Sequence, residues 1–148
     1  MSARDEVTSL LNQYSYTVDT GDFAGFTALF AHAEWSVEGT EPIRGPEAIM
    51  DGILSKIILH EDGTPRTRHC TTNIEFTIDE AAGTASSQRY VTVLQATDDF
   101  PLQPIFCGHY FDEFERADGR WRFKKTLVRR PFIGDMSRHL KNTDFVQP

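Results

Sequence analysis

The hydrophobic period of this chain changes once, and that change restricts the fold to one class. Up to about residue 60, apolar residues recur every three or four positions, as in Val7, Leu10, Leu11, Tyr14 and Val18. From Asn73 onward they alternate with polar residues, as in Asn73-Ile74-Glu75-Phe76-Thr77-Ile78. The first pattern buries one face of a helix and the second buries one side of a strand. Helices first, then a run of antiparallel strands, is an α+β order. A curved sheet wrapped around the N-terminal helices makes a cone with one open end, and such a cone holds small apolar ligands at its mouth.

The punctuation marks the elements. The first helix is expected over residues 3–20, closed by Gly21, which tolerates the left-handed conformation that ends helices. Asp22 is a natural N-cap for a second helix bearing Phe23, Phe26, Leu29 and Phe30. Residues 34–38 alternate and read as a short strand. Gly45-Pro46 opens a third helix with Ile49, Met50, Ile53, Leu54, Ile57 and Ile58 on its apolar face, broken at residues 61–65. Strands are expected at 73–78, 85–95, 105–116 and 120–129. Residues 98–104 read as a loop because they hold two prolines, and Asp118-Gly119 is a strong hairpin signal. A short helix is expected near Met136 to Lys141. No linker, repeat or low-complexity stretch divides the chain, so residues 1–148 are expected to form one domain.

Composition narrows the class of partner. The 148 residues include 11 Phe and are 39% hydrophobic, ample for a core and an apolar cavity. A net charge of -7 argues against nucleic acid and anionic membrane as partners. Cys70 and Cys107 lack Cys-x-x-Cys spacing and read as reduced core thiols. Residues 1–6 contain no apolar signal region, and no apolar run approaches the ~18 residues of a membrane span. A soluble cytoplasmic protein is the expectation. No histidine or cysteine cluster has metal-ligand spacing, and no Gly-rich phosphate loop is present, so neither metal nor cofactor is expected.

Three residues carry candidate chemistry. Tyr14 and Asp19 lie near the end of the first helix, and His69 precedes the first long strand. A carboxylate that orients an imidazole makes a general base suited to neutral pH, because free histidine titrates near pH ~6.5. A tyrosine beside the pair can steady a developing oxyanion. Taken singly, Asp19 reads as a solvated helix end and Tyr14 equally as a core aromatic; the pairing with His69 favours chemistry. His32, His60 and His139 read as surface or turn residues, and Tyr16 as surface.

The chain resembles the SnoaL-like, or nuclear-transport-factor-2-like, α+β cone superfamily. The resemblance rests on Tyr14-x4-Asp19-Thr20-Gly21-Asp22-Phe23, Phe30-Ala31-His32-Ala33-Glu34-Trp35, Gly45-Pro46-Glu47, Arg68-His69-x3-Asn73 and the run from Tyr110 to Phe123. Within it, Asp19 and His69 look like the dyad of the scytalone dehydratase, bile acid 7α-dehydratase and hexachlorocyclohexane dehydrochlorinase branch. That resemblance implies catalytic Tyr14, Asp19 and His69. It places His109 at a pocket-lining position, as polar liner or catalyst alike, and Trp35 and Phe106 in the wall, where core packing is the competing reading. Arg129 or Arg130 would supply a cation. Tyr14 and Thr126 stand where the dehydrochlorinase uses lysine and arginine, which argues against halide elimination.

The implied function is a cofactor-independent lyase, dehydratase-like, acting on a small apolar cyclic or polyketide-like substrate. The alternatives are a non-catalytic ligand-binding or structural subunit of the same fold, such as the small subunit of a ring-hydroxylating dioxygenase, or an isomerase or cyclase of the superfamily. The branch implies a homo-oligomer, a trimer first and a dimer second, with the Pro131-Phe132-Ile133 segment covering the pocket mouth or a neighbouring subunit.

Overall fold

In a computed structural model, which describes residues 1–142, three helices and a six-stranded sheet follow one another as the change of period predicts. Helix α1 spans Ala3–Asp19. Ser2 and Asp5 form a reciprocal capping box at its start, which satisfies amides that have no partner within the helix. Gly21, at φ 76°, turns the chain after it. Asp22 accepts from the Gly25 amide at 2.9 Å and starts α2, Phe23–Leu29. Val7, Leu11, Tyr14, Val18 and Asp19 form the buried face of α1. That face packs on α2 and on the inner side of the sheet, where a fully buried Val or Leu contributes roughly 1.5–3 kcal/mol.

The strands are β1 (Glu34–Val37), β2 (Ile43–Arg44), β3 (Thr67–Asp79), β4 (Thr84–Thr97), β5 (Phe100–Ala117) and β6 (Arg120–Ile133). Their order across the sheet is β2-β1-β6-β5-β4-β3. All neighbours run antiparallel except β1 and β6, which are parallel. Asp118 and Gly119 both take positive φ, 54° and 77°, as the two-residue hairpin turn requires. Register shifts interrupt the β3–β4, β4–β5 and β5–β6 ladders. Bulges bend strands, and here they curve the sheet around α1 and α2.

Several expectations change. Strand β3 starts at Thr67 and so contains His69, and β6 runs on to Ile133. Strand β5 begins at Phe100, so residues 100–104 are paired rather than a loop. The β5–β6 register starts only at Phe106, which leaves this stretch beyond the end of β6. A strand with one free side accommodates Pro101 and Pro104. Helix α3 ends early, Pro46–Gly52, and a single 3₁₀ turn, Leu54–Lys56, follows; Gly52 is a poor helix former. Residues 136–141 form a turn, with the His139 and Leu140 amides both bonded to the Met136 carbonyl at 3.0 Å. Cys70 and Cys107 are free but half-buried, not core thiols.

The core is aromatic at its centre. Phe30 stacks on Phe123 at 5.1 Å, and Tyr14 meets Phe26 edge-on at 4.9 Å. A buried ion pair lies beneath. Both oxygens of Asp112 bond to Arg89, at 2.8 and 3.1 Å, and Ser87 and Thr126 complete the carboxylate's partners. Both charged side chains are fully buried.

Candidate active site

The last residue of α1 and the start of β3 meet at a carboxylate–imidazole contact. Asp19 Oδ1 lies 2.6 Å from His69 Nδ1. Thr67 donates to the same oxygen at 2.8 Å, and the His69 amide donates to Oδ2 at 2.7 Å. Asp19 is thus held by side chains and backbone of one strand, and its carboxylate holds the His69 ring through Nδ1. Burial raises the Asp19 carboxyl, but the hydrogen bonds and charge of His69, with Thr67, outweigh it and hold the group below the ordinary carboxylate value. An ionised Asp19 makes Nδ1 the protonated nitrogen and leaves the lone pair on Nε2.

Tyr14 sits one turn back on α1, its ring centroid 6.3 Å from that of His69. Its hydroxyl accepts from Trp35 Nε1 at 3.0 Å and from the neighbouring Tyr110 hydroxyl. Both oxygen lone pairs are then engaged, so the phenolic hydrogen is available to a ligand. Burial raises Tyr14 despite the opposing charge of Arg89, and burial raises Tyr110 well above the ordinary phenol value. Both are therefore neutral donors at pH 7. The Arg89 guanidinium lies 5.1 and 4.9 Å from the two ring centroids, holding the pair by cation–π attraction.

His69, Tyr14, Trp35, Phe106 and Tyr110 line one internal cavity of ≈ 60 Å³, closed on its far side by Met136, His139 and Leu140. Larger hollows lie on the surface, two of them near residues expected in the site. One of ≈ 610 Å³ runs over the outer side of the sheet past Phe111 and Arg129, and one of ≈ 730 Å³ is lined by Asp19 and His69 together with Tyr16 and Leu102. Size does not make either the site, because the Tyr14 and Tyr110 side chains reach only the internal cavity. That cavity has room for little beyond water, against ~300–1,000 Å³ for typical ligand pockets.

Tyr14, Asp19, His69, Trp35 and Phe106 are thus brought together. His109 and Arg129 are not. They are register partners on the outer side of the sheet, where His109 bonds Gln88 at 3.0 Å and Arg129 lies over the Phe111 ring. Strand alternation sends them there, because Tyr110 and Val128 take the inner side. Phe132 is 75% exposed and does not cover the mouth; the segment after it does. His139, read as a surface or turn residue, does lie in a turn but is 6% exposed, in the cavity wall. The sequence signal for it was slight: a histidine between two apolar residues, Met136 and Leu140, four apart. Tyr110 also belongs to the site, legible only as an inward position of β5. Among the described residues no group of three or more His, Cys, Asp or Glu could hold a metal ion, and no helix is long and apolar enough to cross a membrane.

Solved structures place this architecture among known folds. The chain is 25% identical to hexachlorocyclohexane dehydrochlorinase LinA-type3 from Novosphingobium barchaimii, with TM-score 0.68 over 99% of this chain and 95% of that one. It is 24% identical to a candidate scytalone dehydratase from Novosphingobium aromaticivorans, with TM-score 0.66 over 88% and 86%. An NTF2-like protein with a cystatin-like fold from the same organism is 21% identical, with TM-score 0.69 over 85% and 80%. No curated protein matches the chain in sequence. The fold is therefore the NTF2-like α+β cone, as the sequence resemblance implied. A SnoaL-like domain model matches residues 1–126, and the chain belongs to that family.

Proposed function

We propose that this protein is a cofactor-independent lyase that removes water from a small, largely apolar cyclic substrate. The observation that carries the reading is the 2.6 Å contact between Asp19 and His69 at the wall of an aromatic cavity that also receives Tyr14. His69 Nε2 takes a proton from the carbon next to a carbonyl. Asp19 fixes the imidazole tautomer and stabilises the imidazolium. Tyr14 donates to the carbonyl oxygen as negative charge gathers there. The carbon–oxygen bond to a β-hydroxyl then breaks, and the imidazolium returns its proton to the departing hydroxide, so that water and an enone leave. General base catalysis supplies about 10²–10⁴-fold; positioning and the dry aromatic wall supply the remainder.

The test is a panel of β-hydroxy cyclic ketones, with enone formation followed by ultraviolet absorbance. Wild-type protein should form enone from at least one of them, and the His69→Ala variant should lose nearly all of that rate while keeping its fold. Equal rates in the two proteins would remove the reading.

One observation favours a second reading. The cavity is only ≈ 60 Å³, and a cone filled by its own side chains suits a non-catalytic subunit. Absence of turnover across the panel, together with a stable hetero-complex, would favour it. We further infer a homo-oligomer, trimer before dimer, joined through the outer side of the sheet, where Tyr90 is 46% exposed beside the half-buried Phe111. Sedimentation equilibrium tests this, and a monomer at all concentrations refutes it.

A further inference from the structure

The cavity wall includes a histidine that the proposed reaction leaves unused. His139 is 6% exposed and lies in the cavity wall with His69, Tyr14 and Tyr110. Its Nδ1 is sealed from solvent and has no hydrogen-bond partner among the described residues. Leaving a buried polar atom unpaired is costly, and native proteins rarely do so without a ligand, a water or a function to account for it. The position of the residue is not accidental to its loop. The His139 carbonyl accepts from the Ile58 amide at 2.8 Å, and the Lys141 amide donates to the Lys56 carbonyl at 2.9 Å. The preceding Arg138 carbonyl accepts from His60 Nε2 and Gln95 Nε2. Backbone bonds on both sides thus fix the segment that carries His139 in the cavity wall.

We propose that His139 Nδ1 is a ligand-binding atom that receives a hydroxyl group of an uncharged, apolar cyclic molecule whose carbonyl lies at Tyr14. This deepens the lyase reading and rests on the same cavity. The chemistry of the wall sets the class. Tyr14 offers a neutral phenol, to which the Tyr110 hydroxyl donates, and the remaining lining apart from the two histidines is apolar. The Arg89 and Asp112 charges are paired with each other beneath the tyrosines. An ionic ligand would find no free counter-charge among the lining residues. A hydroxyl suits Nδ1 in either tautomer, because it both donates and accepts. A ligand with one oxygen at Tyr14 and a second at His139 satisfies both ends of the cavity. Met136 and Leu140 share the segment that carries His139, so a ring that needs more room displaces the same segment that recognises its hydroxyl.

The probes are 4-hydroxycyclohexanone and cyclohexanone. They share a ring and differ by the hydroxyl, and the first cannot lose water through an enolate because its hydroxyl is not β to the carbonyl. Their binding to wild-type protein is measured by calorimetry and by ¹⁵N spectra of the histidine rings. The expected result is about threefold to tenfold tighter binding of the hydroxy ketone, with the His139 Nδ1 resonance moving for that probe and staying for cyclohexanone. In the His139→Phe variant the affinity ratio should fall to about one. Should that variant fail to fold, the wild-type spectra decide alone. Equal affinities, no binding of either probe, a still Nδ1 resonance, or a preference that survives His139→Phe would each overturn the assignment. Failure of the lyase reading shows separately, as absent turnover of β-hydroxy ketones with the hydroxyl preference intact.

Discussion

Replacing His139 by phenylalanine should make the protein less sensitive to acid, by an amount that follows from burial. Taking His139 out of water pushes its imidazole down to about 3 from the ordinary 6.5. The nearby charges of His69 and His60 act in the same direction, and Asp19 opposes them. The folded value lies below the unfolded one, so between roughly pH 3 and 6.5 the unfolded chain binds a proton that the folded chain refuses. Stability then rises with pH through that window and falls as the solution is acidified, at up to ~1.4 kcal/mol per pH unit. Integrated from neutral pH to about pH 4.5, the loss is about 2–3 kcal/mol, a large share of the ~5–15 kcal/mol typical of a domain. Asp19, Asp62, Asp99 and Asp135, whose carboxyls are held below the ordinary aspartate value, contribute stability that is lost only at still lower pH. Urea unfolding at several pH values between about 7 and 4.5 reads the slope directly. Whatever His139→Phe does to stability at pH 7, its curve should fall about 2–3 kcal/mol less than that of the wild type over this range. Parallel curves would refute the burial argument, and with it the picture of a neutral histidine in the wall.

Other perturbations test neighbouring parts of the structure. Asp19→Asn keeps the size of the side chain but removes the charge that fixes the His69 tautomer, and should lower any dehydration rate about 10²–10⁴-fold; kcat for the best substrate of the panel checks it. Arg89→Met leaves the Asp112 carboxylate buried without its cation and should cost about 3–5 kcal/mol in urea unfolding, whereas Arg89→Met with Asp112→Leu should recover most of that loss. At Gly108 an added Cβ would stand 2.9 Å from Tyr110 Cε1 and 3.0 Å from Val128 Cγ1. Gly108→Ala should therefore cost about 1–3 kcal/mol, measured by thermal unfolding, and should weaken binding of ketones by shifting Tyr110.

The order of elements and the Asp19–His69 contact were legible because each rests on local signals. Gly21 and Asp22 punctuate α1 and α2, Asp118-Gly119 sets the last hairpin, and Asp19 and His69 stand at the ends of elements that the fold must bring together. What failed to show depends on non-local geometry. Simple alternation sends Ile74 and Phe76 to the side opposite His69. The register shift between Thr72 and Glu75, with Asn73 at φ 55°, restores them to the core side. Asparagine tolerates that conformation, so the residue type was a faint signal, but only pairing with β4 reveals the bulge. The prolines of β5 suggested a loop because sequence does not say where β6 ends. His109 and Arg129 owe their expected place to family position, and strand alternation overrules it. His139 lies on a turn whose burial comes from its bridge to residues 56–58, about 80 positions away in the chain.

The measurement closest to the central claim is exchange of ketone α-protons for deuterium. It asks whether His69, held by Asp19, removes a proton from carbon, and it needs no knowledge of the natural substrate. Wild-type protein and His69→Ala are incubated in D₂O with 4-hydroxycyclohexanone, and loss of the α-proton signal is followed by ¹H NMR. The account predicts exchange above the buffer rate with wild-type protein and about 10²-fold or more less with His69→Ala. Exchange at the buffer rate with wild-type protein, or at equal enzymatic rates with both, would contradict it.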